Sequence, residues 1–130
     1  SAASQQIATA EAEQRRFLAA FARVPQSRYI FNNTCTDILA IAAAMLHGEI
    51  TYRQGHYDSA FAHLRKAVEL DDSLPYDEPW GWMQPVRHAL GALLLEQNDE
   101  WAVQRARYMT LESVGRLSDD PLISLPAVAR

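Results

Sequence analysis

Apolar residues recur at three- and four-residue steps through most of this chain, and alternating β-branched runs of four or more do not occur. No other feature constrains the fold as much, because a helix with one apolar stripe must bury it against another element. Five helical stretches follow from the spacing. The first covers about 3–23, with Ile7, Ala10, Phe17, Leu18, Phe21 and Val24 on one stripe. Pro25 stops it, since the residue before a proline resists the helical region. Residues 26–33 read as a connector carrying Tyr29, Ile30 and Phe31. The second helix opens at Thr34 or Thr36, either of which suits a cap, and Gly55 closes it. The third runs over about 57–70, the fourth over 83–97 with Pro85 in its first turn, and the fifth over 100–117. The expected fold class is all-α, with about five helices.

A repeat lies inside this pattern. Placing Gly48 over Gly91 is a shift of 43 residues, and it brings Gly55 onto Asn98. Both residues tolerate the left-handed backbone that ends a helix. Gly48 lies seven residues before Gly55, and Gly55-His56-Tyr57-Asp58-Ser59-Ala60 is followed by Leu64 and Ala67. This set resembles the tetratricopeptide repeat, in which a small residue on helix A admits helix B and a G-x-Y-x-x-A turn joins them. The usual tryptophan of helix A is replaced by Ala44, and the closing proline is displaced to Pro75. The shift is nine residues longer than the 34 of a tetratricopeptide unit, which fits an insertion in 71–80. In the second unit a strict shift puts Arg107 where Leu64 sits; deleting one residue in the turn restores Ala102 and Ala106.

The resemblance implies antiparallel helix hairpins stacked as a right-handed superhelix in one domain, 1–130. Residues 1–33 are its N-terminal helix and connector, 34–74 a first hairpin and 75–82 an inserted linker. Residues 83–117 form a second, degenerate hairpin and 118–130 a tail. The stretch 45–97 is also similar to the C-terminal repeats of larger bacterial tetratricopeptide proteins, mostly without an assigned function. That likeness implies that the chain corresponds to part of a longer protein. Arrays of this kind hold a peptide or partner helix on the concave face of their A helices. Carried onto this chain, that face comprises Ala42, Met45, Glu49, Tyr52 and Arg53, then His88, Ala92, Leu95 and Glu96. The only lysine, Lys66, falls on helix B, so the lysine–asparagine clamp for chain termini is not expected.

Trp80 and Trp82 flank Gly81 in a proline-bounded linker. They read either as an aromatic anchor for a peptide or as cover for the end of the helix pair. Asp77 and Glu78 precede the fourth helix, and Arg87 and His88 lie within reach to pin the linker. The alternative function is a metal-binding or hydrolase-type site built from His47, His63, Glu49, Asp77, Glu78 and His88. No histidine pair has the H-x-x-x-H spacing that one helix needs to hold a metal, and no nucleophile-elbow or phosphate-loop motif occurs. No catalytic residue, cofactor or metal is therefore expected.

Charge and cysteine content narrow the partners. The net charge is −4, eleven of the twelve basic residues are scattered arginines, and no basic stripe alternates with aromatics. Nucleic acid is thus an unfavourable partner. No apolar run nears the ~18 residues of a membrane span. The single Cys35 cannot form an internal disulfide, so a cytoplasmic, reducing location is expected. At the start of a helix it could be an activated thiol, though an incidental cysteine is the simpler reading. Asn32-Asn33-Thr34 is only a formal glycosylation acceptor. Two repeats fall short of the ~3 that make a stable array, which favours a homodimer through an open end.

Overall fold

The structure, a computed structural model, describes residues 2–97 and 106–107. It is predominantly helical. In chain order it holds α1 (Ala2–Phe21), β1 (Tyr29–Ile30), β2 (Asn33–Thr34), α2 (Cys35–Arg53), α3 (Tyr57–Asp72) and α4 (Val86–Glu96). The chain divides into two compact units, Ser1–Val86 and Arg87–Arg130, each described by itself.

The ends of α2 are written in local chemistry. Thr34, extended at φ −69° and ψ 143°, accepts a hydrogen bond from the Asp37 amide through its hydroxyl. That satisfies one of the orphan donors of the first turn, and Asp37 suits the positive end of the helix dipole. At the other end Gly55 adopts φ +85°. The His56 amide donates to the Thr51 carbonyl and the Gly55 amide to the Tyr52 carbonyl, which closes a Schellman motif. The chain thus reverses over Gln54–His56, and α3 returns antiparallel along α2.

The seam of this hairpin is the core of the first unit. Ile38, Ile41, Met45 and Tyr52 of α2 are buried, as are Ala60, Phe61, Leu64, Ala67 and Val68 of α3. Each large side chain removed from water contributes roughly 1.5–3 kcal/mol. Tyr52 meets Phe61 and Tyr57 in edge-to-face ring contacts, with centroids 5.9 and 5.0 Å apart. Gly48 brings the helices together. A Cβ there would stand 2.9 Å from Leu64 Cγ and 3.2 Å from the Ala60 carbonyl oxygen.

α1 lies along α2 and has no fully buried residue. Polar bridges mark the contact: Gln54 Nε2 donates to Glu11 Oε1 at 2.7 Å, and Gln14 Nε2 lies 3.0 Å from His47 Nδ1. The helix stops four residues short of Pro25.

Two elements differ from the sequence expectation. Residues 29–33, expected as connector, and Thr34, expected as a helix cap, form a small antiparallel hairpin in which Tyr29 pairs with Thr34 and Ile30 with Asn33. Strands of two residues are too short for any alternation to be visible. Phe31 turns the tip with φ +52°. α4 begins at Val86, just after Pro85, so the proline precedes the helix rather than occupying its first turn.

In the second unit, Leu90 and Leu94 are buried. Among the described residues, a Cβ on Gly91 would have Ala106 Cβ as its nearest neighbour, at 3.9 Å. The fifth expected helix and the tail lie outside the described residues, apart from Ala106 and Arg107, which are helical.

Candidate functional site

The residues expected on the concave face separate by burial. Met45 and Tyr52 are core residues of the α2–α3 hairpin and offer no free surface. Glu49 and Arg53 are exposed, and with Leu46 and Ile50 they flank a groove of about 370 Å³ shared with Ile7 and Ala10 of α1. The first helix therefore runs beside this face. Arg53 stacks its guanidinium 5.4 Å from the Tyr52 ring centroid. His88 and Leu95 are exposed on α4 of the second unit.

The linker after α3 is the most elaborated polar feature of the first unit. Asn33, only 1% exposed, sits beneath it. Its Nδ2 donates to the Pro75 carbonyl at 3.2 Å and to Asp77 Oδ2 at 3.4 Å. The neighbouring Asn32 donates its backbone amide to the same Asp77 oxygen at 3.0 Å, and its side-chain amide to the Tyr76 carbonyl at 3.0 Å. Asp77 Oδ1 accepts the Glu78 amide at 3.0 Å. So a buried carboxylate gathers three donors, each of which lowers the cost of burying charge. Asn33 Oδ1 has no partner among the described residues. Gly81 passes close to this amide: a Cβ there would be 3.1 Å from Asn33 Nδ2 and 3.3 Å from Leu74 Cδ1.

The two linker tryptophans have different jobs. Trp82 is half-buried and donates its indole N–H to the Met45 sulfur at 3.1 Å. It is cover for the helix pair. Trp80 is 63% exposed, and Tyr76 is 78% exposed. With Leu74, Glu78 and Pro79 they line an open hollow of about 470 Å³, with Asp71 at its edge. The Tyr76 hydroxyl donates to Glu78 Oε1. That bond, and to a lesser degree desolvation, raises the phenol above its usual value of 10.0, so Tyr76 stays neutral at physiological pH.

The histidines give a third arrangement. His47 and His63 meet across the hairpin with ring centroids 4.1 Å apart and planes at 83°. Burial, and then the neighbouring His47, lowers the His63 pKa below its ordinary 6.5. An edge-to-face contact packs the rings against each other rather than aiming both at one ion. Among the described residues no three His, Cys, Asp or Glu side chains converge as a metal ion would need. Cys35 is half-buried at the first residue of α2, its amide bonded to the Arg28 carbonyl at 2.8 Å. Among the described residues no helix is long and apolar enough to cross a membrane.

Asn32 and Asn33 carry the site's architecture, and the sequence marked them only as a glycosylation pattern. Asn is common in tight turns, which hints at a hairpin tip. Its pairing with Asp77 spans 44 residues and has no local signature. Comparison with family models, with curated proteins and with solved structures finds no match for this chain.

Proposed function

We propose that this chain is a non-enzymatic helical interaction module of the tetratricopeptide type, and that it binds a peptide through the linker after α3. One observation carries the reading. Trp80 and Tyr76 are held in water on a segment whose base is fixed by the Asn32–Asn33–Asp77 hydrogen bonds and by the Trp82–Met45 contact. Large apolar side chains grouped on a surface mark interaction sites, and a pre-ordered segment loses little conformational entropy when a ligand arrives. The repeat reading draws support from the glycines. Gly48 is set against Leu64, and among the described residues Gly91 has Ala106 as its nearest neighbour. These are matching positions once a residue is deleted from the second turn. The partner is the one the concave-face reading expects, but the contact moves to the linker because Met45 and Tyr52 are spent on the core.

Panning a random peptide library displayed on phage against the full chain tests this. Saturable binders that slow amide exchange in residues 74–82, and that are lost with Trp80→Ala, are the expected outcome. Absence of any such binder refutes the reading.

A further inference from the structure

We propose that the linker hollow takes a cationic side chain, an arginine or lysine of the peptide partner, seated against Trp80 and Tyr76 and paired with Glu78. This rests on the peptide-binding reading above and names the chemistry of the ligand.

Shape comes first. About 470 Å³ lies near the low end of ligand pockets, and this hollow is open to solvent. Such a space suits one long side chain rather than a whole cofactor. Its walls are the two most exposed aromatic residues of the linker, and the Trp80 indole N–H has no partner among the described residues. Aromatic faces attract cations through their quadrupole, tryptophan most strongly.

Charge selects further. Residues 71–86 contain Asp71, Asp72, Asp77 and Glu78 and no lysine or arginine. Asp77 is consumed by the clamp beneath the linker. The Glu78 carboxylate differs: its one partner among the described residues is the neutral Tyr76 hydroxyl, and no ion pair holds it. A carboxylate beside two aromatic rings, fixed in direction but without a countercharge among the described residues, is half of a salt bridge. An anionic ligand would be repelled by it, and a purely apolar one would strip water from the carboxylate without replacement. A metal ion is poorly served, because among the described residues no group of three His, Cys, Asp or Glu side chains converges. A guanidinium or ammonium satisfies both walls at once, since it pairs with the carboxylate and stacks on the rings.

The test uses the full chain and a set of otherwise identical pentapeptides with arginine, lysine, citrulline or glutamate at the centre. The Trp80 indole N–H signal in a heteronuclear NMR titration is the readout. Arginine or lysine peptides should shift it saturably, and citrulline and glutamate peptides at least about tenfold less at equal concentration. Glu78→Gln keeps the acceptor for Tyr76 while removing the charge. It should weaken the basic peptides about tenfold at low salt, with an unchanged circular dichroism spectrum. Equal shifts from citrulline and arginine, or no shift from either basic peptide, overturn the proposal. Library binders that contact the linker but carry no basic residue also overturn it while leaving the peptide-binding reading intact. A library with no linker binder removes both.

Discussion

Gly48 and Leu64 occupy one another's space: the glycine's missing side chain is filled by the leucine's branch point, 2.9 Å from where a Cβ would be. Leu64 is fully buried, and the Ala60 carbonyl oxygen would lie 3.2 Å from the same Cβ, so an added methyl has little room. Gly48→Ala should therefore lose stability by about 1–3 kcal/mol, although alanine gains roughly 1 kcal/mol of helix propensity. Gly91→Ala is the matched control. Among the described residues its Cβ would meet Ala106 Cβ alone, at an ordinary 3.9 Å, so it should be neutral or stabilising by up to ~1 kcal/mol. Urea denaturation of both variants decides the point, and equal losses would contradict the packing role of Gly48.

Gly55 is a different case. Among the described residues nothing lies within 4 Å of its absent Cβ, but φ is +85°. Gly55→Ala should cost about 1–2 kcal/mol through backbone conformation alone, and Gly55→Asn less. Thermal melts in which both variants lose equally would count against this account.

Removing the Asp77 side chain strands the Asn32 amide and leaves the Asn33 side-chain amide with the Pro75 carbonyl as its acceptor. Asp77→Ala should destabilise by about 1–3 kcal/mol. Hydrogen exchange at the Asn32 amide should quicken in the variant. An amide equally protected in both proteins would show that Asp77 is not its acceptor.

His63 predicts a pH dependence with a definite sign. Its folded pKa lies below 6.5, so as pH falls through 6.5 the unfolded chain binds protons that the folded chain does not. Its contribution is intact above 6.5 and is lost progressively as pH falls toward the folded-state value. Because burial is the larger cause and His47 the second, His47→Gln should shallow this dependence without abolishing it. Chemical denaturation between pH 7.5 and 5 measures the slope. A dependence unaltered by His47→Gln would mean the ring contact carries no charge coupling.

Phe31 is 72% exposed and left-handed at φ +52°, an unfavourable setting for an aromatic residue. Phe31→Asn should raise stability by about 1 kcal/mol, seen as a higher melting temperature. A lower one would mean that the ring supports the hairpin.

What the sequence made legible follows the range of the interaction. Thr34, Pro25 and Gly55 act within a turn of their own positions, so helix ends were readable from residue type. Gly48 was readable because a missing side chain on an apolar helix face has few other meanings. Tyr52 and Met45 lie in the core and not on a free face, because on one helix a shift of some tens of degrees about the axis separates groove from core. The clamp was hidden for another reason. An Asn at a turn and an Asp in a proline-rich segment each look complete alone, and only the folded chain makes them partners. The split between Trp80 and Trp82 likewise depends on which way the backbone turns at Gly81.

The bond from Asn33 to Asp77 joins residues 44 positions apart and encloses the whole of α2 and α3 between its ends. Closing a loop of that length costs entropy once, when the hairpin forms, and little more for each residue added. With both ends tied at one point, neither helix can peel away from its outer terminus without first breaking the clamp. The hairpin is therefore expected to melt as a single unit, and a ligand seated on the linker to raise the cooperativity of α2 and α3 rather than to stiffen the linker locally.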